Sequence, residues 1–301
     1  MRIKVKLDKL ALFTSHRSEV LYPYQDVPNF KFRGYFNPAK NKEDDPTLTK
    51  YEKVVMFENM RNGNSLLICN QRKRKCHNAS PLYLIFYTSY FHTISYQDVQ
   101  IVEKFFEQYC SARLRLSQIH IALDIISATE IDLYAKVIRA IKPGKKHKTG
   151  SEKEYKTSLY FGSSKSSNYL HVYDKIQQMW NVYGLRDEGD VVRVELRLRI
   201  PQLNNFIQYT EDLAVCDWSF VYPKYYSFHQ PTNTLKRRLR SIGLDWSRPI
   251  WELRDIMEEE FDVWPSNFYR DYLMDHPLFS DPVRTALSDY RWCRNYKQYQ
   301  S

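Results

Sequence analysis

The residues best suited to chemistry lie on three segments that alternate strictly, one residue up and one down. Over residues 168–175, Leu170 and Val172 face one way, while Tyr169, His171, Tyr173 and Lys175 face the other. Over residues 191–200, Val192, Val194, Leu196 and Leu198 form the apolar set, opposite Arg193, Glu195, Arg197 and Arg199. Over residues 118–125, Ile119, Ile121, Leu123 and Ile125 separate from His120, Ala122 and Asp124. If these strands share one sheet, its oily face packs on helices and its polar face gathers a phenol, two carboxylates, an amine and several guanidinium groups. A solvent-facing sheet is also polar on one side, but such faces mix Thr, Ser and Lys.

This set suits phosphoryl chemistry on a nucleic acid. Asp124 and Glu195, from separate strands, can share a divalent ion, Mg²⁺ or Mn²⁺, through hard oxygen ligands. Such an ion polarises a phosphodiester oxygen, and a tyrosine beside it can attack in line. A free phenol has a pKa of ~10. Lys175, two residues beyond Tyr173 at ~6.6 Å along the strand, and the metal both favour the phenolate. The resulting phosphotyrosine ester keeps the energy of the broken diester, so the strand can be rejoined without ATP. Tyr160 and Tyr169 are alternatives to Tyr173, although aromatic residues fill strands for packing alone. His120 and His171 are possible helpers; His120 lies ~13 Å by strand rise from Asp124, too far to share its ion.

The elements that must position these groups are readable along the chain. Residues 3–8 alternate as a half-buried strand, and residues 54–57 and 66–69 flank Asn62-Gly-Asn as a hairpin. Residues 82–91 read as a strand, 98–111 and 132–141 as helices, 157–161 as a strand, and 176–183 as a helix closed by Gly184. Residues 22–53, broken by Pro23, Pro28, Pro38 and Pro46, read as a loop-rich insertion. After about residue 203 the pattern turns helical: 204–215, a basic helix over 234–243 and an acidic one over 246–261. That last pair fits either a DNA-binding helix pair or a plain helical hairpin. Residues 1–95 and 115–200 could be two variants of one sheet unit. The expected fold is α+β, with an antiparallel catalytic sheet over 1–203, helices on one face and a mainly helical C-terminal region over 204–301.

Composition narrows the function. The 301 residues carry 45 Lys+Arg against 35 Asp+Glu, a formal charge of +10, with 24 Tyr and 6 Trp. Cations neutralise phosphates and aromatic faces stack on unpaired bases, so a nucleic-acid partner fits. Lys145, Lys146 and Lys148 in the loop 142–156, Arg72 and Arg74 in the loop 71–78, and Lys236, Arg237 and Arg238 would grip the DNA backbone. Arg193 and Arg197 would join them from the polar face. With 8 glycines, neither a GxGxxG nor a GxxxxGK[ST] occurs, which excludes Rossmann and Walker readings. No apolar run approaches the ~18 residues of a membrane helix, and the start lacks a secretory apolar core. Five scattered cysteines without a CxxC pair argue against disulfides and structural zinc, and for a cytoplasmic location.

The succession Gln118-Ile-His-Ile-Ala-Leu-Asp124, then Thr157-Ser-Leu-Tyr-Phe-Gly-Ser continuing to Tyr173-Asp-Lys175, then Val192-Arg-Val-Glu-Leu-Arg-Leu-Arg199 resembles rolling-circle replication initiators. The pattern is most similar to that of plasmid and phage Rep_trans initiators. Filamentous-phage gene II nickases and related conjugative relaxases look similar in the same places. The resemblance covers residues ~115–203, about a third of the chain. It implies a metal-dependent, site-specific endonuclease and strand transferase in a bacterial host, acting on single-stranded or supercoiled origin DNA. A host helicase and polymerase would be its partners, and the resemblance is compatible with a homodimer. By position, Tyr173 would be the nucleophile, Lys175 its partner, and Asp124 and Glu195 the metal ligands. The sequence departs from initiators that use a His-hydrophobic-His motif, since none of its histidines has that spacing. Two alternatives remain, a mobilisation relaxase with the same tyrosine chemistry and a non-catalytic basic DNA-binding protein.

Overall fold

Alternation of apolar and polar residues builds one large antiparallel sheet. The computed structural model describes residues 1–14, 27–36, 47–89, 92–108, 113–128, 132–144, 158–162, 166, 168–184, 190–199 and 207–294. Strands β1 (Arg2–Thr14), β2 (Phe30–Phe36), β3 (Tyr51–Asn59), β4 (Ser65–Arg72) and β5 (Leu82–Tyr87) precede helix α1 (Tyr96–Glu107). Then follow β6 (Arg115–Ser127), α2 (Leu133–Ala140), β7 (Ile141–Pro143), β8 (Ser158–Phe161) and β9 (Asn168–Asp174). Helix α3 (Lys175–Tyr183) leads into β10 (Asp190–Arg199). Among the described residues nine strands form the sheet, in the order β2-β3-β4-β5-β1-β6-β10-β9-β8.

The two long central strands, β1 and β6, pair antiparallel and form a seam. Outward from it, each half runs first strand, last strand, next-to-last: β1-β5-β4-β3 on one side, β6-β10-β9-β8 on the other. Apart from the edge strand β2, the strand order of residues 1–95 matches that of 115–200, while α2 and α3 lie within the second stretch and α1 between the two. Of the predicted loop over 22–53, residues 22–26 and 37–46 lie outside the described residues, and the part between them holds a strand. Phe30-Lys-Phe-Arg-Gly-Tyr-Phe pairs β2 with β3 at the sheet edge, with a register shift at Gly34, whose φ of 131° favours glycine. Aromatic residues alternating with cations carried that strand signal despite the neighbouring prolines.

The apolar sets predicted for β6, β9 and β10 all face the core. Ile119, Ile121, Leu123, Ile125, Leu170, Val172, Val192, Val194, Leu196 and Leu198 are buried there with α1 residues Val99, Val102 and Phe106. Ser95 caps α1, its hydroxyl accepting from Asp98 N. The chain after residue 207 supplies short helices α4 (Thr210–Ala214) and α5 (Val221–Lys224), strand β11 (Tyr226–Pro231), α6 (Asn233–Ser241) and α7 (Ile250–Phe261). It ends in α8 (Pro265–Asn267), β12 (Leu273–Asp275) and α9 (Ser280–Asp289). Of the helix predicted over 204–215, only α4 is seen, and 201–206 lie outside the described residues. This region packs in two places. Trp218, Phe228, Val283 and Leu287 join the main core, while Leu235, Leu239, Leu253, Met257 and Phe268 form a separate cluster beneath α6 and α7. Among the described residues no helix is long and apolar enough to cross a membrane.

Candidate active site

The polar face of the sheet is organised by an irregularity in β1. Its pairing with β6 shifts between Leu7 and Lys9, leaving Asp8 as an extra residue. A bulge of this kind re-aims the side chains that follow. It brings both Lys6 and Lys9 to the face of His120 and Asp124, while Leu7 and Leu10 stay in the core. The three-residue step from Leu7 to Leu10, where a regular strand steps by two, is the sequence sign of this bulge.

Across β6, β10 and β9 the polar residues stand in rungs. Asp124, Arg193 and Tyr173 form one; Ala122, Glu195 and His171 the next; His120, Arg197 and Tyr169 the third. The first rung is a buried charge cluster. Arg193 donates from Nε to Asp124 Oδ1 at 2.6 Å, from Nη2 to Asp124 Oδ2 at 2.9 Å and from Nη1 to Asp8 Oδ1 at 2.7 Å. Lys6 Nζ lies 3.1 Å from Asp124 Oδ2.

Two expectations change here. Asp124 was expected to ligate a metal, but each of its oxygens is taken by a cation and the residue is 1% exposed. Burial pushes its carboxyl pKa up, but Arg193 and then Lys6 outweigh that and hold it at about 2. Asp124 acts as a counter-ion. Arg193 was expected to touch DNA, but it too is 1% exposed and is held by two aspartates. The two-residue period predicts a face correctly, but not which groups on that face neutralise one another.

Glu195 is the carboxylate that faces the reactive groups. Its Oε1 lies 2.7 Å from His120 Nδ1, and its Oε2 accepts from the Tyr173 hydroxyl at 3.4 Å. His120 Nε2 meets the Gln118 side-chain amide, so both ring nitrogens are engaged. The distance of His120 from Asp124 along β6 does not decide its role; its partner is Glu195, one rung away on the adjacent strand β10.

Tyr173 is 3% exposed. Burial drives its pKa well above the ordinary value; Arg193 opposes this, and Glu195, Asp8 and Asp124 add to it. The expected phenolate is therefore not the resting form, because desolvation outweighs the nearby cations. Lys175 is also placed differently from the prediction. It is the first residue of α3, not the end of a strand, because the Asp174 side chain caps the helix by accepting from Gln177 N at 2.9 Å. Its Nζ is nonetheless 5.7 Å from the Tyr173 ring centre and donates to Gln178 Oε1 at 2.9 Å. Burial, with Arg193 adding to it, lowers the Lys175 pKa to about 8.

The other two tyrosines belong to a stack that fixes the Tyr173 ring. Tyr173 leans on His171 at 4.2 Å, His171 stacks on Tyr160 at 4.1 Å, and Tyr160 on Tyr169 at 5.7 Å between ring centres. Burial holds the His171 pKa down to about 4, so its ring is neutral at pH 7. The Arg197 guanidinium covers Tyr169 at 5.1 Å. Buried Arg197 Nε and His171 Nε2 have no hydrogen-bond partner among the described residues.

A cleft of about 500 Å³ opens over this arrangement. Tyr173, Lys175, His120, Glu195, Arg197 and Lys9 contribute to its lining, and so do Phe36, Leu48, Met56, Leu67 and Tyr87. Lys9, Asp8 and Tyr87 were absent from the predicted site because they come from the β1 bulge and the end of β5.

The donors fit a divalent ion only in part. Among the described residues no three His, Cys, Asp or Glu side chains converge on one metal position. The expected Asp124–Glu195 pair does not fit, since Asp124 is already neutralised. Glu195 remains as a carboxylate facing the cleft, and Mg²⁺ is commonly held by one or two carboxylates with substrate phosphate and water completing its shell.

Of the remaining cations, Lys145, Lys146 and Lys148 lie outside the described residues. Arg72 donates to the His77 and Ala79 carbonyls at 3.1 and 3.0 Å, closing the loop after β4. Arg74 and Arg237 are exposed. Lys236 sits over Trp246, and Arg238 over Phe261 and Tyr272.

No family model matches this chain. No curated protein matches it. Among solved structures it is similar to the rolling circle replication initiator protein from Geobacillus stearothermophilus, at 14% identity and a TM-score of 0.44, over 77% of this chain and 89% of that one.

Proposed function

We propose that this chain nicks one strand of origin DNA through Tyr173 and later rejoins it, in the manner of a rolling-circle replication initiator. The observation that carries this reading is the meeting, in one cation-lined cleft, of the Tyr173 hydroxyl, the Glu195 carboxylate and the Lys175 ammonium. Because Tyr173 rests as a phenol, its proton must leave as the oxygen attacks. Glu195 Oε2 is placed to take it, and the His120 hydrogen bond to Oε1 holds the carboxylate in line. Arg197, with an unpartnered Nε–H, and Lys175 bind the phosphate oxygens. Lys175 gives its proton to the departing 3′-oxygen. A 5′-phosphotyrosine ester and a free 3′-OH result, the latter a primer for a host polymerase working behind a host helicase. Rejoining reverses each proton transfer. A Mg²⁺ or Mn²⁺ would have Glu195 as its protein ligand, with phosphate oxygens and water completing its shell, and would supply polarisation of the phosphate.

The test is incubation of supercoiled origin DNA with the protein and Mg²⁺ or Mn²⁺. Nicked circles with a protein-linked 5′ end are expected; tight binding without cleavage in either metal would leave a docking protein. The role of Lys175 sets a pH limb. Nicking should fall above about pH 8 as the ammonium is lost. Lys175→Arg should move that fall beyond the measured range, and Lys175→Met should remove it while lowering the rate ~10²–10⁴-fold.

Backbone grip by the exposed cations is separable from chemistry. Arg74→Ala and Arg237→Ala should each reduce the slope of log binding constant against log salt by about one unit. Cleavage of bound DNA at low salt should be unchanged. Filter binding across a salt series, with single-turnover cleavage alongside, reads both.

A further inference from the structure

The polar face changes character midway along the sheet. Over β6, β9 and β10 it carries charge, whereas over β3, β4 and β5 it is covered by a second apolar cluster that includes Leu48, Leu67 and Tyr83, with Met56, Phe36 and Tyr87 packed against it. The cleft spans both halves, so part of its lining is charged, with Lys9, Lys175 and Arg197 beside Glu195 and Asp8, and part is oily and aromatic, with Phe36, Leu48, Met56, Leu67 and Tyr87. At about 500 Å³ it has room for more than a phosphate group. Lys9 Nζ stands 4.8 Å over the Tyr87 ring, where the two kinds of lining meet. A site that combines anion-binding groups with an apolar, aromatic wall matches a nucleotide: phosphate to the cations, base to the rings and thioether.

We infer that the cleft holds the nucleobase of the nucleotide attached to the scissile phosphate, seated against Met56, Phe36 and Tyr87. The inference deepens the nicking proposal and rests on it. The base wall positions the scissile phosphate over Tyr173, and it supplies contact that a bare sugar-phosphate chain lacks. The wall offers mainly apolar surface, so it favours a stacked base over an absent one more than it distinguishes one base from another.

The test compares equilibrium binding of thymidine 5′-monophosphate and 2-deoxyribose 5-phosphate to the full chain by NMR titration. Thymidylate is expected to bind about ten-fold more tightly, as stacking of one base provides. Met56→Trp, which fills the oily side from a partly exposed position, should reduce thymidylate to the level of the sugar phosphate and leave the latter unchanged. Tyr87→Phe should keep the preference. Unchanged thermal unfolding of Met56→Trp confirms that the fold is intact. Equal binding of the two probes by the wild-type chain, or a preference that survives Met56→Trp, overturns the base subsite. Covalent adduct formation, measured separately, decides the nicking proposal, so failure of the base subsite is distinguishable from failure of the nicking reading.

Discussion

Tyr173→Phe is expected to abolish the covalent protein–DNA product, lowering strand cleavage at least ~10⁴-fold. The substitution removes one oxygen. The ring, its contact with His171 and the cleft lining all remain. The lost hydrogen bond to Glu195 is long, at 3.4 Å, so stability should change by no more than about 1 kcal/mol. DNA affinity should stay within about two-fold, since Lys175, Arg197 and the exposed cations are untouched. Denaturing gels that detect labelled DNA attached to protein, run beside fluorescence anisotropy, measure the two quantities. An unchanged adduct yield would assign the chemistry to another tyrosine.

Asp124→Asn is the second large effect, and it falls on stability. The substitution leaves Arg193 and Lys6 buried with Asp8 as the remaining nearby carboxylate. Removing one partner of a buried ion pair costs about 3–5 kcal/mol, because the charge left behind cannot regain water. The pH dependence has a definite sign. The folded-state pKa of Asp124, about 2, is depressed below the ~3.9 of an unfolded chain. Its stabilisation is therefore fully present above about pH 4 and is lost as pH falls through 2. The gap between wild type and variant, measured by urea unfolding, should be widest near neutrality and shrink toward pH 2. A metal-ligand role predicts a different outcome: a fold of unchanged stability with weakened Mn²⁺ binding.

Much of this was legible in the amino-acid order. The two-residue period places Tyr173, Glu195 and Asp124 on one face because every alternate residue of their strands is Leu, Ile or Val. Periodicity assigns a face and says nothing about pairing across it. Asp124 and Arg193 neutralise each other because antiparallel register sets them on the same rung, and register depends on partners distant in sequence. Lys6 and Lys9 share the site through a bulge that breaks the very alternation used to find strands. Lys175 left its strand because Asp174 favours capping a helix over continuing an edge. The acidity of Tyr173 departs from the sequence expectation for a separate reason. Counting nearby cations gives the favourable Coulomb contribution, while burial of the phenol, which prevails, needs three dimensions.

The most direct measurement is identification of the residue that carries DNA after cleavage. Trypsin should release the peptide Ser166–Lys175, which contains both Tyr169 and Tyr173. Fragmentation of the nucleotide-bearing peptide should place the phosphodiester on Tyr173, the ring whose hydroxyl meets Glu195. A nucleotide on Tyr87, Tyr160 or Tyr169 would contradict the proposed nucleophile.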